Sequence, residues 1–109
     1  MTIIKPSEKI LQAMEIIGSP ERWTKGTFAR DSDGVSTVYY SSKAVCFCSI
    51  GALEKVKAAY SAKYYIARSL PKDASSSGIV KYNDAPETKH KDVMNMFMTA
   101  AFLALSEGK

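Results

Sequence analysis

The sequence predicts an α+β domain: three to four helices packed around a buried central helix, with a small two-stranded β-hairpin laid against them. Three observations predict it. Apolar residues recur at helical spacing near both ends of the chain. An Asp33-Gly34 pair stands between two runs of strand-forming residues. A run from Ala44 to Leu53 is apolar nearly all round, which fits a helix buried on most sides.

The first helix follows Ser7, whose hydroxyl can accept an N–H of the opening turn. Ile10, Leu11, Met14 and Ile17 form its apolar stripe, and Gly18 stops it. Ser19-Pro20 then reads as the cap and first position of a short helical turn through Trp23. Thr27 and Phe28 on one side, and Val35, Thr37, Val38, Tyr39 and Tyr40 on the other, are strand formers. Asp-Gly between them supplies the positive φ of a tight hairpin turn. Two strands alone are not stable in water, so the hairpin must lie on helices.

Ser41-Ser42 is expected to cap the central helix, which contains CFCSIGAL. Beyond Glu54 the pattern turns amphipathic, with a break near Ser61, and Pro71 ends the helix. KDASSSG reads as a loop, and IVKYNDAP as a short extended piece followed by a turn. The last helix starts at Thr88 or a neighbour, with Asp92 favouring its positive end. Met94, Phe97, Ala101 and Leu105 are expected to face the core, leaving Met96 and Leu103 partly exposed or in a dimer contact. The apolar stripe of this helix is wider than one buried face needs.

A chain of 109 residues fits one domain, residues 1–109, large enough for a core without covalent staples. The start of the chain lacks the apolar stretch of a secretory signal, and no segment is long enough to span a bilayer. A cytoplasmic protein is expected, in the host cytoplasm if phage-encoded, with Cys46 and Cys48 as reduced thiols.

The net charge of +4 is uneven. Between positions 54 and 81, Lys55, Lys57, Lys63, Arg68, Lys72 and Lys81 face only Glu54 and Asp73. This is read as a solvated helix face; a nucleic-acid footprint is the alternative, though such footprints are usually denser.

Two cysteines and one histidine fall short of the four ligands of a closed zinc site, so neither metal nor cofactor is expected. The sharper possibility is a thiol nucleophile. Cys48 could be activated near a helix N-terminus, with His90 as base and Asn83 or Asp84 orienting it. Against this, Cys48 lies in an apolar run, where thiols are usually inert. Gly51-Ala52 reads as a close helix crossing against the last helix or Trp23. Arg30-Asp31 is either a surface pair or an anchor to Asp84, and Asn83-Asp84 reads as turn chemistry.

The strings RWTKGTFARDSDG, AVCFCSIGAL and YNDAPETKHKDVMNMFMTAA together resemble a small bacterial and phage family of unknown function, DUF6197. Trp23, Gly26, Ala29, Arg30, Asp31 and Gly34 match its first block, Cys48, Gly51, Ala52 and Leu53 its second, and Asn83, Asp84 and Val93 its third. Tyr82 stands where the family usually has Trp, and Asp92 where it has Glu. The resemblance implies a helix-rich α+β domain and no established activity. It also singles out Trp23, Arg30, Asp31, Asn83 and Asp84, either as architecture or as the lining of one shared pocket.

The leading functional expectation is a non-enzymatic protein-binding module, with a phage accessory or anti-defence role as one form of it. Its contact would be a protein partner or a second copy, through the last helix. A thiol-dependent hydrolase or transferase around Cys48 is the alternative. Weak nucleic-acid binding through the basic segment is the second alternative, and no membrane contact is expected.

Overall fold

The structure is a computed structural model that describes residues 5–70 and 78–109. Pro71 and the predicted loop from Lys72 to Ser77 lie outside the described residues, whereas Gly78, the last residue of that loop, is helical. Among those described are five α-helices and a small three-stranded antiparallel sheet.

Helix α1 (Pro6–Ile16) begins two residues earlier than the Ser7 cap predicts. Lys5 takes the N-cap position, and Pro6 fills the first helical position, where a missing N–H costs nothing. Ser7 is instead buried inside the helix, its hydroxyl donating to the Lys109 carbonyl at 3.3 Å. Ile10, Ala13 and Ile17 form the fully buried stripe. The short 3-10 turn Pro20–Arg22 follows Ser19 as expected.

The predicted two-stranded hairpin is corrected to three strands, β1 (Ala29–Arg30), β2 (Ser36–Thr37) and β3 (Cys46–Phe47), ordered β2-β1-β3. Ala29 lies opposite both Thr37 and Phe47. The Asp31 carboxylate closes the β1–β2 turn by accepting from the N–H groups of Asp33 and Val35, at 2.9 and 3.0 Å. Gly34 takes the left-handed conformation there, at φ 80°. Val38, Tyr39 and Tyr40 do not extend β2, because the chain turns through a Ser41 N–H to Val38 carbonyl bond. The third strand comes from residues assigned to the central helix by their apolar character. β3 satisfies the free edge of β1, which would otherwise leave backbone groups unpaired beside the core.

The central helix is therefore shorter than predicted: α2 runs Ser49–Lys55, capped by Cys48 and not by Ser41-Ser42. Gly51, Ala52 and Leu53 are buried. The close approach at Gly51 is present, but its partner is the Phe28 backbone, not the last helix or Trp23. The break before α3 (Tyr60–Arg68) falls earlier than Ser61, at a turn where Lys57 adopts φ 58°. The segment read as extended is instead a helix, α4 (Gly78–Asp84).

Helix α5 (His90–Ser106) starts at Lys89, whose N–H donates to the Asp92 carboxylate at 2.9 Å. It lies against α1 and α3. Its buried face is Val93, Met96, Phe97, Ala100, Ala101 and Ala104. This corrects the expected register: Phe97 and Ala101 are in the core, but Met96 is buried while Leu105 is 57% exposed. Met94 and Leu103 are half-buried. The alanines at 100, 101 and 104 turn toward the neighbours because small side chains let helices approach closely. At its far end, Glu107 accepts from the Tyr65 hydroxyl and pairs with Arg68, both at 2.8 Å.

Candidate functional site

Trp23, Asn83 and Asp84 converge on one buried amide. Asn83, at the end of α4, is fully buried. Its Oδ1 accepts from Trp23 Nε1 at 2.7 Å, from the Ser49 N–H at 3.0 Å and from the Ser49 hydroxyl at 2.7 Å. Its Nδ2 donates to the Thr24 carbonyl at 3.0 Å and to Asp84 Oδ1 at 2.9 Å. The same Asp84 oxygen takes the Gly26 N–H at 2.9 Å. One side chain thus ties the loop after the 3-10 turn, the first turn of α2 and the end of α4 together. Every hydrogen-bonding position of the amide is occupied by the protein.

Arg30 reaches the same loop from the sheet. Its Nε donates to Thr24 Oγ1 at 2.9 Å, and Nη2 to the Lys25 carbonyl at 3.0 Å. Its third bond, from Nη1 to the Gly34 carbonyl at 3.1 Å, braces the hairpin turn. Arg30 makes no hydrogen bond to Asp84 among the described residues; in place of that anchor it bonds the Thr24 hydroxyl and the Lys25 carbonyl of the intervening loop. Asp31 stays in the hairpin turn. Trp23, Asn83 and Asp84 are therefore brought together, Arg30 is joined to them through residues 24 and 25, and Asp31 is not.

Cys48 and His90 have separate partners. The Cys48 sulfur accepts from the Gly51 N–H at 3.2 Å and caps α2. His90 Nε2 lies 2.7 Å from the Ile17 carbonyl, and its ring centroid is 6.0 Å from that of Trp23. No hydrogen bond joins the two among the described residues. A depression of about 250 Å³ opens over Cys48, lined also by Gly26, Thr27, Phe28, Val80 and Asp84. The thiol itself is only 5% exposed. Burial pushes its pKa up, opposed by the Gly51 N–H, and the net shift favours the protonated thiol over the thiolate.

In a Cys46→Ser background, iodoacetamide is expected to alkylate native Cys48 more slowly than a free thiol at neutral pH. Unfolding should restore the ordinary rate. Native alkylation faster than a free thiol, abolished by His90→Ala, would reverse this assignment and make Cys48 a nucleophile.

Among the basic candidates, Lys63 pairs with Glu54 and Arg68 with Glu107. Lys55 and Lys57 are exposed, and Lys72 lies outside the described residues. No group of three or more His, Cys, Asp or Glu residues placed to hold a metal occurs among the described residues. Nor is any helix among them long and apolar enough to cross a membrane.

Two features escaped the sequence reading. Ser49 is fully buried and gives Asn83 two of its bonds; the signal available was a lone hydroxyl within an apolar run. Tyr60 is 83% exposed, although tyrosine in a helix is read by default as core.

Comparison with curated proteins and with solved structures finds no match. The sequence profile of a family of unknown function covers residues 1–103, nearly the whole chain, and so this protein belongs to DUF6197.

Proposed function

We propose that the protein is a non-enzymatic binding module that engages a partner protein through the outer face of α5. The observation that carries this reading is the exposure of Met98, Phe102 and Leu105, at 57%, 75% and 57%. Their spacing of four and then three places them in one line along the helix. Single exposed apolar side chains are ordinary, but a line of three at these offsets is how a helix presents anchors to a partner's apolar groove. Asn95, Thr99 and Ser106 border the line with polar groups, beside an open hollow of about 510 Å³. The saturated bonding of Asn83 supports the same reading, because that amide offers no free atom to a substrate.

The test is a photo-crosslinking residue placed at position 102 in the producing cell, with position 12 on exposed α1 surface as control. Position 102 is expected to give a discrete protein adduct that Met98→Glu removes without changing the melting temperature. A second copy of the chain would be an acceptable adduct. Labelling at 102 no different from that at 12 would overturn the proposal.

A further inference from the structure

A second surface, remote in sequence from the outer face of α5, has a different chemistry. Helices α3 and α4 border a shallow groove of about 280 Å³, lined by Ile50, Tyr60, Lys63, Tyr64, Ile79 and Val80. Tyr60 is almost fully exposed and Tyr64 about half so. Four residues apart, they share one face of α3. The Arg68 guanidinium, paired with Glu107, lies 5.3 Å from the Tyr64 ring centroid.

Among the described residues, unpaired charge on the elements that border this groove is positive, apart from Asp84, whose carboxylate accepts from Asn83 and Gly26. Glu54 is committed to Lys63 and Glu107 to Arg68. Lys55, Lys57 and Lys81 are exposed and make no salt bridge among the described residues. Lys57 stands at the turn that enters α3, and Lys81 follows Val80 on α4. Exposed aromatic faces interleaved with lysines match a polyanion whose own flat faces are free.

We infer that this groove binds single-stranded nucleic acid, with bases stacking on Tyr60 and Tyr64 and phosphates held by Lys57 and Lys81. Stacking is indifferent to base identity, because every base has a π face. A duplex fits less well: its base faces are already covered, and its binding would rest on a denser basic surface. An acidic peptide matches the charge but brings no planar groups for the two rings.

The experiment is fluorescence anisotropy of a labelled short oligothymidylate titrated with the full chain at low salt. Saturable binding is expected, weakening with salt at a log–log slope of about −1.4, the value for two phosphate contacts on a single strand. Tyr60→Ala is expected to weaken binding about ten-fold or more, and Tyr60→Phe to retain it. Because Tyr60 is exposed, both variants should melt with the wild type. A duplex of the same length should bind more weakly, and a poly-glutamate peptide should not displace the strand. No anisotropy change at low salt would overturn the inference. So would wild-type affinity in Tyr60→Ala, equal or tighter duplex binding, or displacement by poly-glutamate.

Discussion

Gly51→Ala is expected to leave the chain largely unfolded, although the same change in an open helix is stabilising. Helix propensity favours alanine by about 1 kcal/mol. Sterics oppose it more strongly. A β-carbon at position 51 would stand 2.0 Å from the Phe28 carbonyl oxygen and 3.0 Å from its carbon. These are backbone atoms, which cannot swing aside as a side chain can. The same oxygen accepts the Cys48 N–H at 3.1 Å, so α2 cannot retreat without losing that bond beside β3. Overpacking costs about 1–3 kcal/mol where side chains can adjust, and a lost hydrogen bond about 1 kcal/mol more. With no adjustable partner, the total should reach a large part of the roughly 5–15 kcal/mol available to a small domain. Thermal melting followed by circular dichroism checks this. A variant melting within a few degrees of the wild type would mean that the approach to Phe28 is not close.

Asn83→Leu should be nearly as damaging, for the opposite reason: it fits the space but strips the partners. Ser49 is fully buried, and both its N–H and its hydroxyl donate to Asn83. Leucine leaves those two donors with nothing, at about 1–3 kcal/mol each. Trp23 Nε1 and the Thr24 carbonyl lose their partner too, but both residues are half-buried and can turn to water. A loss of about 3–5 kcal/mol in chemical denaturation is expected. Asn83→Asp separates geometry from charge. It keeps an acceptor for Ser49 and Trp23 but puts a second carboxyl oxygen against the Thr24 carbonyl and Asp84. Burial beside a like charge raises its folded pKa above the unfolded value. That variant should therefore be most stable below the usual carboxylate range, and lose stability as pH rises through the raised pKa. A loss independent of pH would show that the new carboxyl is not held against Asp84.

The strongly periodic helices were legible in the sequence; the joints between elements were not. Ile10 and Ile17 announce α1, and Phe97 and Ala101 announce α5. The run 44–53 misled because an apolar stretch serves a buried strand and a buried helix equally well. The structure divides it at Cys48: strand before, helix after. α4 was missed because Ile79 and Val80 favour strands and Pro86 suggests a turn. Its helical state depends on what it packs against, since Ile79 and Asn83, four apart, both turn inward. At the site, residue identities pointed to Trp23, Asn83 and Asp84, but nothing local could show that Ser49 completes the set. That contact spans 34 positions of chain.

The pairing of α1 with α5 sets the order of events during synthesis. Helix α1 leaves the ribosome long before α5, its main partner. Until residues 93–104 emerge, Ile10, Ala13 and Ile17 have no α5 against which to bury. The Trp23 and Ser49 donors likewise wait for Asn83. The nascent chain therefore holds the apolar stripe of α1 uncovered until α5 emerges, a period in which holding chaperones compete with aggregation. Acquisition of the native state is a late event, driven by contacts distant in sequence and correspondingly slow to close.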